Sequence, residues 1–172
     1  KGQELEDMEM ELAEIRRLTG TAKAAAVAEA VKEEFECGLV KIVIAYWHKD
    51  VGAILKDALA PFGVVGIDGA TPANIRGEAE QRFLHDPKVR VFLGQIQAAG
   101  EAIDLSSAAE LIFAETSLTP KDMKQMSLRI TNHTQTRQPR VRVAALDGTV
   151  DDALQEILLR KWTTIRKVLG HD

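Results

Sequence analysis

The sequence predicts one α/β domain of three layers, a mostly parallel central sheet with helices on both faces. From residue 40 onward, short apolar runs alternate with amphipathic helical patterns, and that alternation implies right-handed crossovers between parallel strands. The first run is near-continuously apolar, as a strand covered on both faces requires. The chain has 172 residues, 45% hydrophobic and 28% charged, which is enough for a single buried core and ordinary for a globular domain.

Residues 3–18 read as a helix, because Leu5, Met8, Leu12 and Ile15 fall three or four apart with acids between them. Ala24, Val27, Ala28, Val31 and Phe35 mark a second amphipathic helix, stopped by Gly38. Residues 40–47 form the first strand. Val51, Ile54, Leu55, Ala58 and Leu59 mark a helix closed by Pro61. A short strand over 64–67 leads to an Asp68-Gly69 turn, and Thr71-Pro72 opens a helix with proline at its first position. That helix carries Arg76, Ala79 and Phe83. Strands follow at 89–93, 111–114 and 141–146, with helical patterns between them. The longest irregular stretch is 131–140. Thr149 caps the last helix, with Asp152 as its capping-box-like partner. Ile157, Leu158, Trp162, Ile165 and Leu169 supply its buried face. No internal repeat or low-complexity tract interrupts the chain.

The net charge of −4 argues against coating nucleic acid by bulk charge. The distribution is uneven. Residues 1–36 hold ten acids against five bases, and residues 116–142 hold six bases against one acid. A basic segment on a mildly acidic body suits local contact with phosphates, or forms a solvated loop. The only cysteine, Cys37, makes no internal disulfide, which fits a reducing, cytoplasmic compartment. The four histidines lack metal-ligand spacing, so no metal site is expected. No apolar run approaches a membrane span, and no charged-then-apolar leader opens the chain.

The chemistry concentrates between Phe92 and Gln135. A strand runs into a small-residue turn with Gly100 and Asp104, a second strand ends at Glu115, and Gln125 precedes Arg129 by about one helical turn. These groups are expected side by side at the carboxyl edge of the sheet, where open α/β folds bind ligands. Trp47 and Trp162 read as core or lobe-packing residues. No G-x-x-x-x-G-K-[ST] loop occurs, and no Asp-Glu pair follows a strand to hold Mg²⁺. A nucleoside-triphosphate site built by this chain alone lacks its cradle and its metal ligand.

These residues resemble the second RecA-like lobe of Swi/Snf-related helicase-like ATPases, within superfamily-two helicases. Gly100-Glu101-Ala102-Ile103-Asp104 is similar to the family's Gly-x-Gly-aliphatic-Asn/Asp turn, with Ala102 replacing a glycine. Gln125, Arg129 and Gln135 match a later motif, with Asn132 in place of its second arginine and Thr134 in place of its glycine. Arg17 to Lys23, Lys41 to His48, Asp68 to Arg76, and Leu146 to Asp151 resemble other segments of the lobe, in order. The resemblance implies a RecA-like lobe over 21–172, with 1–20 as an acidic helix or interlobe linker. It implies a monomer of bacterial or phage type, partnered by the N-terminal RecA-like lobe of the same protein and by duplex DNA, independent of sequence. ATP and Mg²⁺ would be bound mainly by that first lobe, and this chain alone would be inactive. Arg129 and Gln125 would be catalytic, with Arg129 as an arginine finger. Gly100, Glu101 and Asp104 would contact the nucleotide. His48, Lys49, Thr71, Arg76, Gln97, Lys121 and Lys124 would contact DNA. Asn132, Thr134 and Ala102 leave open a degenerate, non-hydrolysing lobe that binds nucleic acid or protein. A free-standing doubly wound regulatory domain stays open as well.

Overall fold

The computed structural model describes residues 2–98 and 103–169, with the backbone alone at 162 and 164–169. Five parallel strands form the sheet, in the order β2-β3-β1-β4-β5. These are β1 (Ile42–Tyr46), β2 (Val64–Ile67), β3 (Val91–Gln95), β4 (Glu110–Phe113) and β5 (Arg140–Val143). The helices are α1 (Gly2–Glu36), α2 (Lys49–Leu59), α3 (Ala73–His85), α4 (Pro120–Leu128) and α5 (Val150–Leu169).

β1 and β3 are buried along their whole length. Alternate residues feed two cores, because successive side chains leave a strand on opposite faces. Val43, Ala45, Phe92, Leu111 and Phe113 pack with Phe83 of α3 and Met126 of α4 on one face. Ile42, Ile44, Val91, Leu93 and Ile112 pack with Ala24, Ala28 and Val31 of α1 and Leu55 of α2 on the other. The expected three layers and parallel sheet are present.

Four local expectations are corrected. The two N-terminal helices are one 35-residue helix, about 52 Å long. Its first half leaves Leu5, Met8 and Ile15 exposed, and its second half packs on the sheet. Pro72 is the N-cap of α3 rather than its first residue, with extended φ −61° and ψ 153°. No helix joins β3 to β4 among the described residues; Ile96–Ala98 turn, and 103–109 are irregular. Ile157 of α5 is 41% exposed, and Leu154 takes the buried position instead. The side chains of Trp162, Ile165 and Leu169 lie outside the described residues.

The expected stops do operate. Gly38 adopts φ 101°, a left-handed conformation that needs glycine, directly after α1. Pro61 follows Leu59 in a single 3-10 turn, Ala60–Phe62. Thr149 Oγ1 accepts the Asp151 N–H at 3.2 Å, while Asp152 reaches back to the Gly148 N–H at 2.9 Å.

Candidate functional site

The groups that carry chemistry fall into two clusters rather than one. α4 joins β4 to its parallel neighbour β5, so it must run back across the sheet. Pro120 therefore starts at the carboxyl edge, and Arg129, its C-cap, lies toward the amino ends of the strands. The helix has 9 residues, which separates its ends by about 13 Å. The sequence expectation that strand ends and Arg129 share one edge is corrected by this geometry.

The first cluster is the carboxyl edge. Glu115, buried just past β4, is its hub. Its Oε2 accepts the backbone N–H groups of Trp47 and His48 at 2.7 and 2.8 Å, and its Oε1 lies 2.6 Å from His48 Nδ1. α1 crosses directly above: a Cβ at Gly20 would fall 2.8 Å from Glu115 Cδ and 2.9 Å from Val51 Cγ2. One turn earlier, Arg16 donates to the Thr116 carbonyl at 2.8 Å and lies 5.5 Å from the Trp47 ring centre. Burial lowers the pKa of its guanidinium from the usual arginine value, against the pull of Glu115 and Asp151.

Gln95 ties the neighbouring loops together. Its Oε1 accepts the Gly69 N–H at 3.0 Å, and its Nε2 donates to the Trp47 carbonyl at 2.9 Å. The Asp68 turn closes on itself, with Asp68 Oδ1 accepting from the Ala70 N–H and the Thr71 hydroxyl. Those hydrogen bonds, led by Thr71, hold the Asp68 carboxyl below the usual aspartate value.

The sequence-derived DNA candidates are distributed as follows. His48 N-caps α2 and is held by Glu115. Lys49 and Gln97 are exposed at strand ends, and Lys121 and Lys124 are exposed on the first turns of α4. The Thr71 hydroxyl is engaged by Asp68. Arg76 braces three segments, donating to the carbonyls of Thr71, Ala98 and Asp68 at 2.9, 2.9 and 3.3 Å.

The second cluster surrounds Asp104, beyond the last turn of α4. The Asp104 carboxylate accepts from the Ser106 N–H at 2.9 Å, Asn132 Nδ2 at 2.7 Å and the Thr134 hydroxyl at 3.3 Å. Glu80 of α3 accepts its backbone N–H at 2.9 Å. The Leu105 N–H donates to the Arg129 carbonyl at 3.0 Å, which joins this turn to the end of α4. Gln135 Nε2 donates to the carbonyls of Ala108 and Ile130 at 2.7 and 2.9 Å. Gln125 lies half-buried on α4, one turn before Arg129. Gly100, Glu101 and Ala102 lie outside the described residues.

The basic segment is less cationic than its sequence. Arg140 binds both oxygens of Glu110 at 3.0 and 2.8 Å, and Arg142 binds both oxygens of Glu34 at 2.5 and 2.8 Å. Arg137 donates to the Ser107 carbonyl.

Arg129, the C-cap of α4, and the Asp104 turn meet at this end of the helix, joined by the Leu105 N–H to Arg129 carbonyl hydrogen bond. Among the described residues no group of three or more His, Cys, Asp or Glu is placed to hold a metal ion.

Sequence reasoning missed Glu115 as a hub, Gln95 as a tie and the buried Lys23–Asp151 pair. Lys23 Nζ lies 2.6 Å from Asp151 Oδ2 and 2.9 Å from the Ala144 carbonyl, which pins α5 to α1. The signal for Glu115 was present: an acid directly after an apolar strand, at its carboxyl end.

A five-stranded parallel sheet with helices on both faces and chemistry at strand ends defines a RecA-like α/β lobe. Residues 22–134 match the helicase conserved C-terminal domain, and the chain belongs to that family. It is 28% identical over 145 residues to the DNA annealing helicase and endonuclease ZRANB3 of Mus musculus, covering 83% of this chain and 14% of that protein. It is 29% identical over 162 residues to a Caenorhabditis elegans homologue of SWI/SNF-related matrix-associated actin-dependent regulator of chromatin subfamily A-like protein 1, covering 91% of this chain and 24% of that protein. The fold matches the crystal structure of the C-terminal part of the Fun30 ATPase domain, with a TM-score of 0.70 at 21% identity over 76% of this chain and 44% of that one. The chain thus spans under a quarter of the length of these curated relatives.

Proposed function

We propose that this chain is the second motor lobe of an ATP-dependent DNA translocase. It closes the ATP cleft with its Arg129–Asp104 end and meets duplex DNA with its carboxyl edge. The observation that carries the reading is the separation of the two clusters along α4. One end carries Arg129, a residue type suited to charge on a transferring phosphoryl group. The other presents exposed Lys49, Gln97, Lys121 and Lys124 at strand and helix ends, suited to phosphate contacts without base readout. ATP and Mg²⁺ enter through the partner N-terminal lobe, which supplies the phosphate cradle and the metal ligands. The lobe works in the cytoplasm as part of a monomer.

A second reading has one observation in its favour. Asn132 and Thr134, which stand in place of the family's arginine and glycine, both spend their side chains on Asp104. A lobe so arranged binds DNA or protein without driving hydrolysis.

ATP turnover by the longer parent protein, with and without duplex DNA, separates the two readings. The motor reading predicts turnover that rises with DNA. Absence of turnover, with DNA binding retained, overturns it in favour of the second.

A further inference from the structure

β2 is an edge strand, paired only with β3. The Gly63 carbonyl accepts the Val91 N–H at 3.1 Å, and Val64 stands in register with Val91. In a parallel ladder, alternate residues direct both backbone groups to the same neighbour. Val65 and Ile67 therefore bond to β3, and Val64 and Gly66 turn their N–H and C=O groups outward.

A groove of about 520 Å³ runs along this edge between α2 and α3. Its floor includes Val64 and Gly66, and its walls carry Lys49 and Lys56 from α2 and Glu78 and Arg82 from α3. Lys49, Lys56 and Arg82 are exposed, and none of the three forms an ion pair among the described residues. The other acid at the groove, Asp68, is already bonded by Ala70 and Thr71.

We propose that the β2 edge binds an acidic peptide in extended conformation, which adds a sixth strand beside β2. The outward backbone groups select a main chain in β conformation, because only a strand matches alternating donors and acceptors at that spacing. The three bases on both walls select acidic side chains on both faces of that strand. A second copy of this chain is disfavoured as occupant, since edge-to-edge pairing would bring two sets of these bases together. Lys49 stands at the end of the groove nearest the carboxyl edge, so an acidic peptide seated here covers one cation of the proposed DNA surface.

The test is a titration of the ¹⁵N-labelled chain with an acetylated, amidated peptide of alternating Glu and Val, and with its Lys-for-Glu counterpart. The proposal predicts that the acidic peptide shifts the amide signals of Val64 to Asp68 most strongly and slows hydrogen exchange at Gly66. The Lys peptide binds at least several-fold more weakly. The double change Lys56→Glu with Arg82→Glu removes or reverses that preference. Val64→Pro deletes one outward N–H at an edge position that tolerates proline, and it weakens binding about 2- to 10-fold. No binding, shifts centred elsewhere, an unprotected Gly66 amide, or a charge preference unmoved by the double change overturns the proposal. The signals of Leu111 and Phe113 on β4, which β3 and β1 separate from β2, report whether each variant keeps its fold.

Discussion

Asp104 concentrates the residue-scale argument. Burial acts to raise its pKa, but hydrogen bonds from Ser106, Asn132 and Thr134 outweigh it and leave the carboxyl below the ordinary aspartate value. A carboxyl with a depressed folded pKa stabilises the fold above its unfolded value, and the contribution disappears as pH falls through the folded value. The chain is therefore expected to lose stability below about pH 4, and Asp104→Asn is expected to flatten that acid limb while lowering stability near neutrality. Urea midpoints measured across the acid range check this; an acid limb identical in the variant contradicts it. The sequence made Asp104 visible as a carboxylate after a small-residue turn. It did not make Asn132 and Thr134 visible as its partners, because they lie 28 and 30 residues away and meet it only through the fold. Glu115 was visible as an acid at a strand end, but its role as a hub was hidden for the same reason, its partners lying 67 and 68 residues earlier.

At the scale of elements, strand positions were legible because parallel strands buried on both faces write continuous apolar runs. The unity of α1 was not. Gly20 inside a helix costs about 1 kcal/mol relative to alanine, and read alone it divides the pattern in two. The close crossing over Glu115 explains its presence, since there is no room for a side chain. Gly20→Ala is accordingly expected to destabilise the domain by about 1–3 kcal/mol despite better helix propensity. It is also expected to speed hydrogen exchange at the His48 amide, which Glu115 holds. Denaturant midpoints and amide exchange check this, and a variant as stable as the parent sequence contradicts it. Breaking the buried Lys23–Asp151 pair is a larger perturbation. Lys23→Ala leaves Asp151 without its ammonium partner and is expected to cost about 3–5 kcal/mol, read as a fall in the same midpoints.

The molecule as a whole carries a net charge of −4, with Lys49, Lys121 and Lys124 exposed at the carboxyl edge. Binding to duplex DNA is expected to be weak, insensitive to sequence and steeply salt-dependent. Replacing Lys49, Lys121 and Lys124 with alanine is expected to lower the salt slope by about one per contact. Arg140→Ala is expected to leave the slope alone, because Glu110 already neutralises that guanidinium. An unaltered slope in the triple variant contradicts the placement of DNA at the carboxyl edge. The other end of α4 is tested by ATP turnover in the longer parent protein carrying Arg129→Ala. The substitution lies at a helix end, so folding should persist and ATP should still bind. Turnover is expected to fall far more than nucleotide affinity. An unchanged turnover number would contradict this and remove Arg129 from the cleft.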